Sequence, residues 1–311
     1  MGMKLKIIGA YLFLFLAFAS AGKSVYDVTT YGAHLNMDIS LALSDAWKDA
    51  WPCKIPIKVE LQGTLQAPTN PSGFKEGDGW VTFISVDGLT LAGGGTFDGQ
   101  GKAVWGKHCS HNKYCGKLPI NIRFDFVTNS LIQDIISLDS KQFHINVLGG
   151  ENVTFSHVRV IAPENSPNTD EIHIGRSIGI NIKDTTIQTG DDCISLGDGS
   201  RQISITNVRY GSGHGISNKT WPDSHDGLAS NMHFEDIIME NVGNPVLIDQ
   251  EYCPWNQCNA KVPSRIKISH VSFKNIRGSS ASALAVNLAC SSRFPCEDVK
   301  IADIDLQYNG N

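Results

Sequence analysis

One spacing recurs along most of this chain: an apolar residue, any residue, a second apolar residue, any two, then a third apolar residue. It is read at Val153, Phe155 and Val158, and again at Ile203, Ile205 and Val208. Further copies are Met232, Phe234 and Ile237; Ile266, Ile268 and Val271; and Val299, Ile301 and Ile304, with weaker ones beginning at Ser130 and Ile180. First positions 130, 153, 180, 203, 232, 266 and 299 are spaced by 23, 27, 23, 29, 34 and 33 residues. Within a copy the alternation is that of a strand, whose side chains point to opposite faces in turn. A unit this short cannot bury its apolar face alone, but a stack of them can. The smallest spacing fits one turn of a right-handed parallel β-helix, with larger values placing insertions at a corner. Asn152, Gly179, Asn207 and Asn241 mark those corners. A β-sandwich also has short strands at regular intervals, but it carries two-residue hairpin signals rather than a repeated corner asparagine. The expected fold is all-β, a single-domain right-handed parallel β-helix.

A short N-terminal helix is expected to cap the stack. Residues 25–49 read as a short strand followed by a helix with Asp38 as N-cap and Ile39, Leu41, Ala42, Leu43, Ala46 and Trp47 as its apolar face. Residues 1–22 read as a signal peptide: Lys4 and Lys6, an apolar run from Ile7 to Phe18, then small residues at Ala19-Ser20-Ala21. A membrane anchor is the competing reading, but the run is short for a span and Lys23 and Asp27 follow it. Residues 23–311 are thus read as one secreted domain without a membrane anchor. Eight cysteines in such a chain imply disulfides, with Cys109–Cys115, Cys253–Cys258 and Cys290–Cys296 as close pairs. Cys53 and Cys193 are left over. A net charge of -5 gives no broad positive field, which argues against nucleic-acid binding; an acidic polymer would need a few local cations.

Asn168-Thr169-Asp170, Gly190-Asp191-Asp192, Gly213-His214-Gly215 and Lys219 fall on successive segments about one repeat apart. Stacked as strands, they meet on one face. Carboxylates gathered that way raise one another's pKa, so one is held protonated while another stays ionised. That pairing is what a glycoside hydrolase needs: an acid for the leaving oxygen and a base for water. Each residue also has a bland reading. Corner Asp and Asn cap turns, adjacent aspartates point to opposite faces, and His214 between glycines suits a turn. Their joint occurrence in this order favours the site.

These motifs, with Gly94-Gly95-Thr96-Phe97-Asp98-Gly99-Gln100-Gly101, Ser166-Pro167 and Tyr252, resemble the polygalacturonase family of pectin-cleaving glycoside hydrolases, its plant members above all. The resemblance implies hydrolysis of α-1,4 bonds in homogalacturonan (polygalacturonic acid) by a monomeric cell-wall enzyme without metal or other cofactor. It makes Asp191 the general acid, and Asp170 and Asp192 the pair that deprotonates water. His214 would hydrogen-bond among them and help keep Asp191 protonated; Asn168, Lys219 and Tyr252 would bind substrate. Inversion follows, with carboxyl separations of about 6.5–9.5 Å.

The chain departs from the family pattern in several places. The family cysteine that pairs with Cys193 is replaced by Tyr210, so Cys193 is expected to be a free thiol. Glu171 stands where relatives have glycine, close to an anion-binding site unless it faces away. About one coil is missing between Trp47-Lys48-Asp49-Ala50-Trp51 and Pro52-Cys53-Lys54-Ile55-Pro56-Ile57. Another is missing after Gly215, where Ile216-Ser217-Asn218 runs straight into Lys219 and takes with it the arginine of an Arg-Ile-Lys segment that grips the sugar carboxylate. Asn218 is placed near the end of that segment. Arg265-Ile266-Lys267 repeats the tripeptide, but as a solvent-facing pair around a buried isoleucine. The chain also stops short of the family's cysteine-bearing C-terminal tail. Sequons stand at Asn152 and Asn218, and a glycan on Asn218 would crowd the groove. The rival readings are an impaired pectin-binding protein and, on the same fold, a calcium-dependent pectate lyase.

Overall fold

The computed structural model describes residues 6–8, 25–50, 56–106, 118–253, 258–259 and 261–310. Each coil bends at two left-handed residues five positions apart: Asn129 and Asp134, Asn152 and His157, Gly179 and Asp184, Gln202 and Asn207, Asn231 and Asp236, His270 and Asn275, Asp298 and Asp303. Short polar residues and glycine tolerate this conformation best. The second bend falls immediately before the third apolar residue of each copy. The in–out alternation restarts there, which is why three positions rather than two separate the second and third apolar residues. Asn207 and Asn241 are left-handed as well, so all four predicted corner residues lie at bends.

Strands run through these bends. The strand Ile178–Gln188 pairs in parallel with Glu151–Ser156 by its first half and with Arg159–Ile161 by its second. Two faces of one 14-stranded sheet arise in this way, and an 8-stranded parallel sheet forms the third face. This is a right-handed parallel β-helix, as expected. Its interior holds ladders of like residues, among them Phe83 stacked on Phe124 at 5.4 Å and Phe234 on Phe273 at 4.9 Å. Among the described residues, Lys6–Ile8 adds an antiparallel strand beside Thr64–Gln66.

One repeat was misplaced. Met232, Phe234 and Ile237 pair with Val271, Phe273 and Ile276, which in turn pair with Val299, Ile301 and Ile304. That copy therefore begins at 271, not 266, and its flanking spacings are 39 and 28 residues. The strands Gly227–Val242 and Ile266–Ser280 extend upstream of their bends, and Ile266 and Ile268 are buried there opposite Gly227 and Ala229. The same spacing thus occurs twice on one strand.

The N-terminal helix spans Ser40–Ala50, and Asp38 Oδ1 accepts the Ser40 backbone N–H at 2.9 Å. It buries Ala42, Ala46 and Ala50, with Trp47 edge-on to Phe83 at 6.3 Å. Leu41, placed on the apolar face, is instead 79% exposed, because the buried stripe advances by four residues from Ala42. The expected strand at Val25 is a single bridge followed by a 3₁₀ turn, Val28–Tyr31; Asp27 Oδ1 accepts the Thr29 N–H and gives the backbone a turn instead. Cys253–Cys258 and Cys290–Cys296 are bonded, and Cys193 is free and buried. Cys53, the Cys109–Cys115 pair and the junction at 51–55 lie outside the described residues. No described helix is long and apolar enough to cross a membrane.

Candidate active site

The third sheet assembles the site. Its strands Ile172–Gly175, Asp192–Leu196 and His214–Lys219 lie in parallel, Ile172 opposite Ile194 and Ile194 opposite Ile216. Asp170, Asp192 and His214 each stand two residues before one of these isoleucines, 22 residues apart, and so form one column across three coils. Asp191 lies beside the column. Its Oδ1 accepts the Asp192 backbone N–H at 3.0 Å, and its carbonyl accepts the His214 N–H at 2.9 Å. His214 Nδ1 is 3.4 Å from Asp191 Oδ1 and 3.6 Å from Asp192 Oδ1. Lys219 Nζ meets Asp192 Oδ2 at 2.5 Å. The glycines around His214 have a physical reason: Gly213 has φ 127°, and a Cβ at Gly215 would lie 2.3 Å from the Pro245 carbonyl oxygen. Close coil stacking, more than a loose turn, therefore fixes His214.

Asn168 sits at a left-handed corner two residues before Asp170, half-buried. Its loop is tied by Ser166 Oγ, which lies 2.6 Å from both the Pro163 carbonyl and Thr169 Oγ1. Tyr252 places its ring centroid 4.8 Å from Lys219 Nζ, and Trp221 packs edge-on to Tyr252 at 5.2 Å. Asp170, Asp191, Asp192, His214, Lys219 and Tyr252, expected to react or bind, thus converge, with Asn168 on the loop just before Asp170.

Charge is distributed unevenly over the carboxyls. Burial, then the neighbouring Asp191 and Asp192, pushes Asp170 well above the usual carboxylate range. Burial also works to raise Asp192, but Lys219 and His214 outweigh it and hold Asp192 well below that range. Lys219 is raised in turn, the attraction of Asp192 overcoming burial. Hydrogen bonding to Asp191, then Asp192, draws His214 up to about 10. Of the carboxyls in the column, Asp170 is the one pushed toward its neutral form. Asp191, Asp192 and His214 offer donor atoms within 4.8 Å of one another, the one such grouping among the described residues, and Lys219 already supplies positive charge there.

Glu171 faces away from the groove. It is fully buried at the register of Cys193, and burial followed by Asp170 pushes its carboxyl well above the usual range. Asn218 also points inward, 3% exposed, with Nδ2 3.6 Å from Met232 Sδ, so a glycan has no room there. Asn152 is exposed. Ser217 and Asn218 are both buried just before Lys219, in register with Ser195 and Leu196. Arg265 and Lys267 flank buried Ile266, paired with Asp226 and Glu297, as expected of a surface pair. Sequence reasoning passed over a row on the groove floor, His173, Ser195 and Ser217, in register on adjacent strands. His173 Nδ1 and Ser195 Oγ are 2.8 Å apart. Its signal was the position one past each aligned isoleucine. Trp221, two residues past Lys219, was also missed.

The sequence model of "Glycosyl hydrolases family 28" matches residues 34–218 and 218–311, its two stretches meeting at Asn218. An exopolygalacturonase of Oenothera organensis is 50% identical over 282 residues, covering 80% of this chain and 78% of its own. A polygalacturonase of Nicotiana tabacum is 44% identical over 366 residues, covering 100% and 92%. Among solved structures, an endo-xylogalacturonan hydrolase from Aspergillus tubingensis superposes with a TM-score of 0.62 at 19% identity, over 81% of this chain and 79% of that one, a likeness of fold. With a family match along most of its length, this chain belongs to glycosyl hydrolase family 28.

Proposed function

We propose that this chain is a secreted glycosidase of the cell wall that hydrolyses α-1,4-galacturonosidic bonds of homogalacturonan with inversion. The observation that carries the reading is the column of Asp170, Asp192 and His214 with Asp191 beside it, in which Asp170 is pushed up and Asp192 held down. Relatives named as polygalacturonase and exopolygalacturonase support the substrate. Asp191 is the acid: its side chain is 25% exposed against 5% for Asp192, so it is the more open of this adjacent pair. In this role Asp191 carries a proton when a glycosidic oxygen docks against it. Asp191 gives that proton to the leaving oxygen as the C–O bond breaks. Asp192, with Asp170, orients a water on the opposite sugar face and takes its proton as the new C–O bond forms. Asn168 and Tyr252 hold the sugar. A leader at 1–22 and a glycan on exposed Asn152 complete the reading.

Reducing-end release from polygalacturonic acid at mildly acidic pH tests it, with Asp191→Asn beside the wild type. The variant should lose activity by about 10²–10⁴-fold while keeping its circular dichroism. Full activity in the variant would remove Asp191 from the acid role, and calcium-dependent unsaturated products at alkaline pH would assign a lyase. One departure favours a non-catalytic pectin binder: the arginine that the family resemblance implies before Lys219 is absent. Retention of polygalacturonic acid without turnover by the folded protein would assign that second role.

A further inference from the structure

We infer that His173 is a further sugar-binding residue, its Nε2 bonding a hydroxyl of a ring that lies over the bare backbone of Gly197. This rests on the proposed function for its choice of polymer, and on two features of the third sheet for the rest. The first is a pair of glycines that the fold does not require. Ile174, Leu196 and Asn218 point into the core in register, so Gly175, Gly197 and Lys219, one residue on, share the opposite face. Gly190 and Gly215 have to be glycine, since a Cβ there would come within 2.4 and 2.3 Å of a carbonyl oxygen. A Cβ at Gly175 would meet nothing closer than 3.8 Å and one at Gly197 nothing closer than 3.6 Å, and neither has a left-handed φ. Glycine in a strand costs stability, and it marks a bulge, a bend, or close approach by another backbone or a ligand. Pairing passes through these coils without a register shift, and the left-handed bends fall on Arg176 and Gly199 instead. No backbone atom comes nearer to either position than ordinary contact, which leaves a ligand.

The second feature is an unused ring nitrogen. His173 is half-buried on the same face, in register with Ser195, whose Oγ lies 2.8 Å from its Nδ1. The ring packs on Phe143, with 5.5 Å between centroids. Its Nε2 has no hydrogen-bond partner among the described residues, and it faces the places where Cβ atoms of Gly175 and Gly197 would stand, 3.8 and 3.7 Å away. Alanine at either place would cover it. Burial holds the imidazole below its ordinary pKa, so a neutral ring faces the groove. A hydroxyl both donates and accepts, and so suits either tautomer. Gly197 follows Asp192 in the same coil and stands one coil before Lys219, so a ring seated there lies alongside the carboxyl column.

The test uses the intact protein and galacturonan oligomers of one length, reading KM, kcat, affinity-gel retention and thermal melts. His173→Asn keeps a group that reaches Ser195 and removes the one that faces the groove, whereas His173→Gln keeps the latter. The Asn variant should bind about 3–10-fold more weakly, with KM raised and kcat nearly unchanged, and the Gln variant should recover most of that loss. Gly197→Ala should weaken binding by a similar factor while melting no lower than wild type, because alanine fits the strand. Binding unchanged in the Asn and Ala variants overturns the inference and leaves the proposed function standing. Weaker binding in step with lower melting temperatures in both would assign the two residues to the fold, and overturns it as well. A folded wild type that neither binds nor cleaves galacturonan overturns both the inference and the proposed function.

Discussion

Replacing Asn218 with leucine is expected to stabilise the protein. Asn218 belongs to an inward row whose other buried members are Ile174, Leu196 and Ile248, each in register with the next. It is 3% exposed, its Oδ1 has no hydrogen-bond partner, and its Nδ2 faces a thioether at 3.6 Å. Sulfur is a weak acceptor, so the amide is close to unsatisfied. An unsatisfied buried polar group costs about 1–3 kcal/mol. Leucine removes that cost and adds apolar contact, against roughly 1 kcal/mol for imperfect fit. A net gain of about 2 kcal/mol corresponds to about 3 °C in Tm for a chain of this size.

Thermal melts and urea midpoints, run at more than one scan rate, measure it. Solenoids can melt in sections, so the transition that includes this coil is the one to follow. Asn218→Ala separates the two contributions, since it removes the amide without filling the space. A leucine variant no more stable than wild type would refute the argument, because it would mean the amide is satisfied in a way the geometry does not support.

Two other predictions concern the buried groups beneath the site. Glu171→Gln should raise stability at pH 7 and change little below about pH 4. The folded chain keeps the Glu171 proton while the unfolded chain releases it above the ordinary value of 4.5, so wild-type stability falls as pH rises past that point. Denaturant midpoints of the two proteins that stay parallel across this range would refute it. Cys193 should resist alkylation in the folded protein, since burial raises its thiol, and react after unfolding without reductant. Peptide mapping reads the label, and its absence from Cys193 in the unfolded chain would mean the thiol is bonded.

The solenoid was legible because stacking forces each coil to repeat its neighbour, so pattern and corners appear many times over. The same redundancy misled the reading at Ile266, where two buried stretches of one strand carry the same spacing. The column Asp170, Asp192 and His214 was legible from equal intervals alone. What the sequence did not show was direction. Adjacent residues such as Ser217, Asn218 and Lys219 alternate between groove and core, and the phase of that alternation depends on register with the next strand. Asn218 looked like the arginine's neighbour and a glycan site until pairing with Ile248 placed it inside. The contact between Lys219 and Asp192 was hidden for another reason, since no spacing reveals that distance.

Lys219 shares the strand His214–Lys219 with the third member of the column, so one segment brings both cations to the carboxylates. The side chains of Lys219 and Asp192 are only 17% and 5% exposed. Burying such a pair is costly in desolvation, and breaking it by removing one partner costs more, because the survivor is left uncompensated. Lys219 is therefore fixed by Asp192 before any sugar arrives. Its charge holds Asp192 ionised, the state that the proposed base role needs. Lys219→Met is therefore expected to cost both stability and turnover, because Asp192 would be left buried without its countercharge.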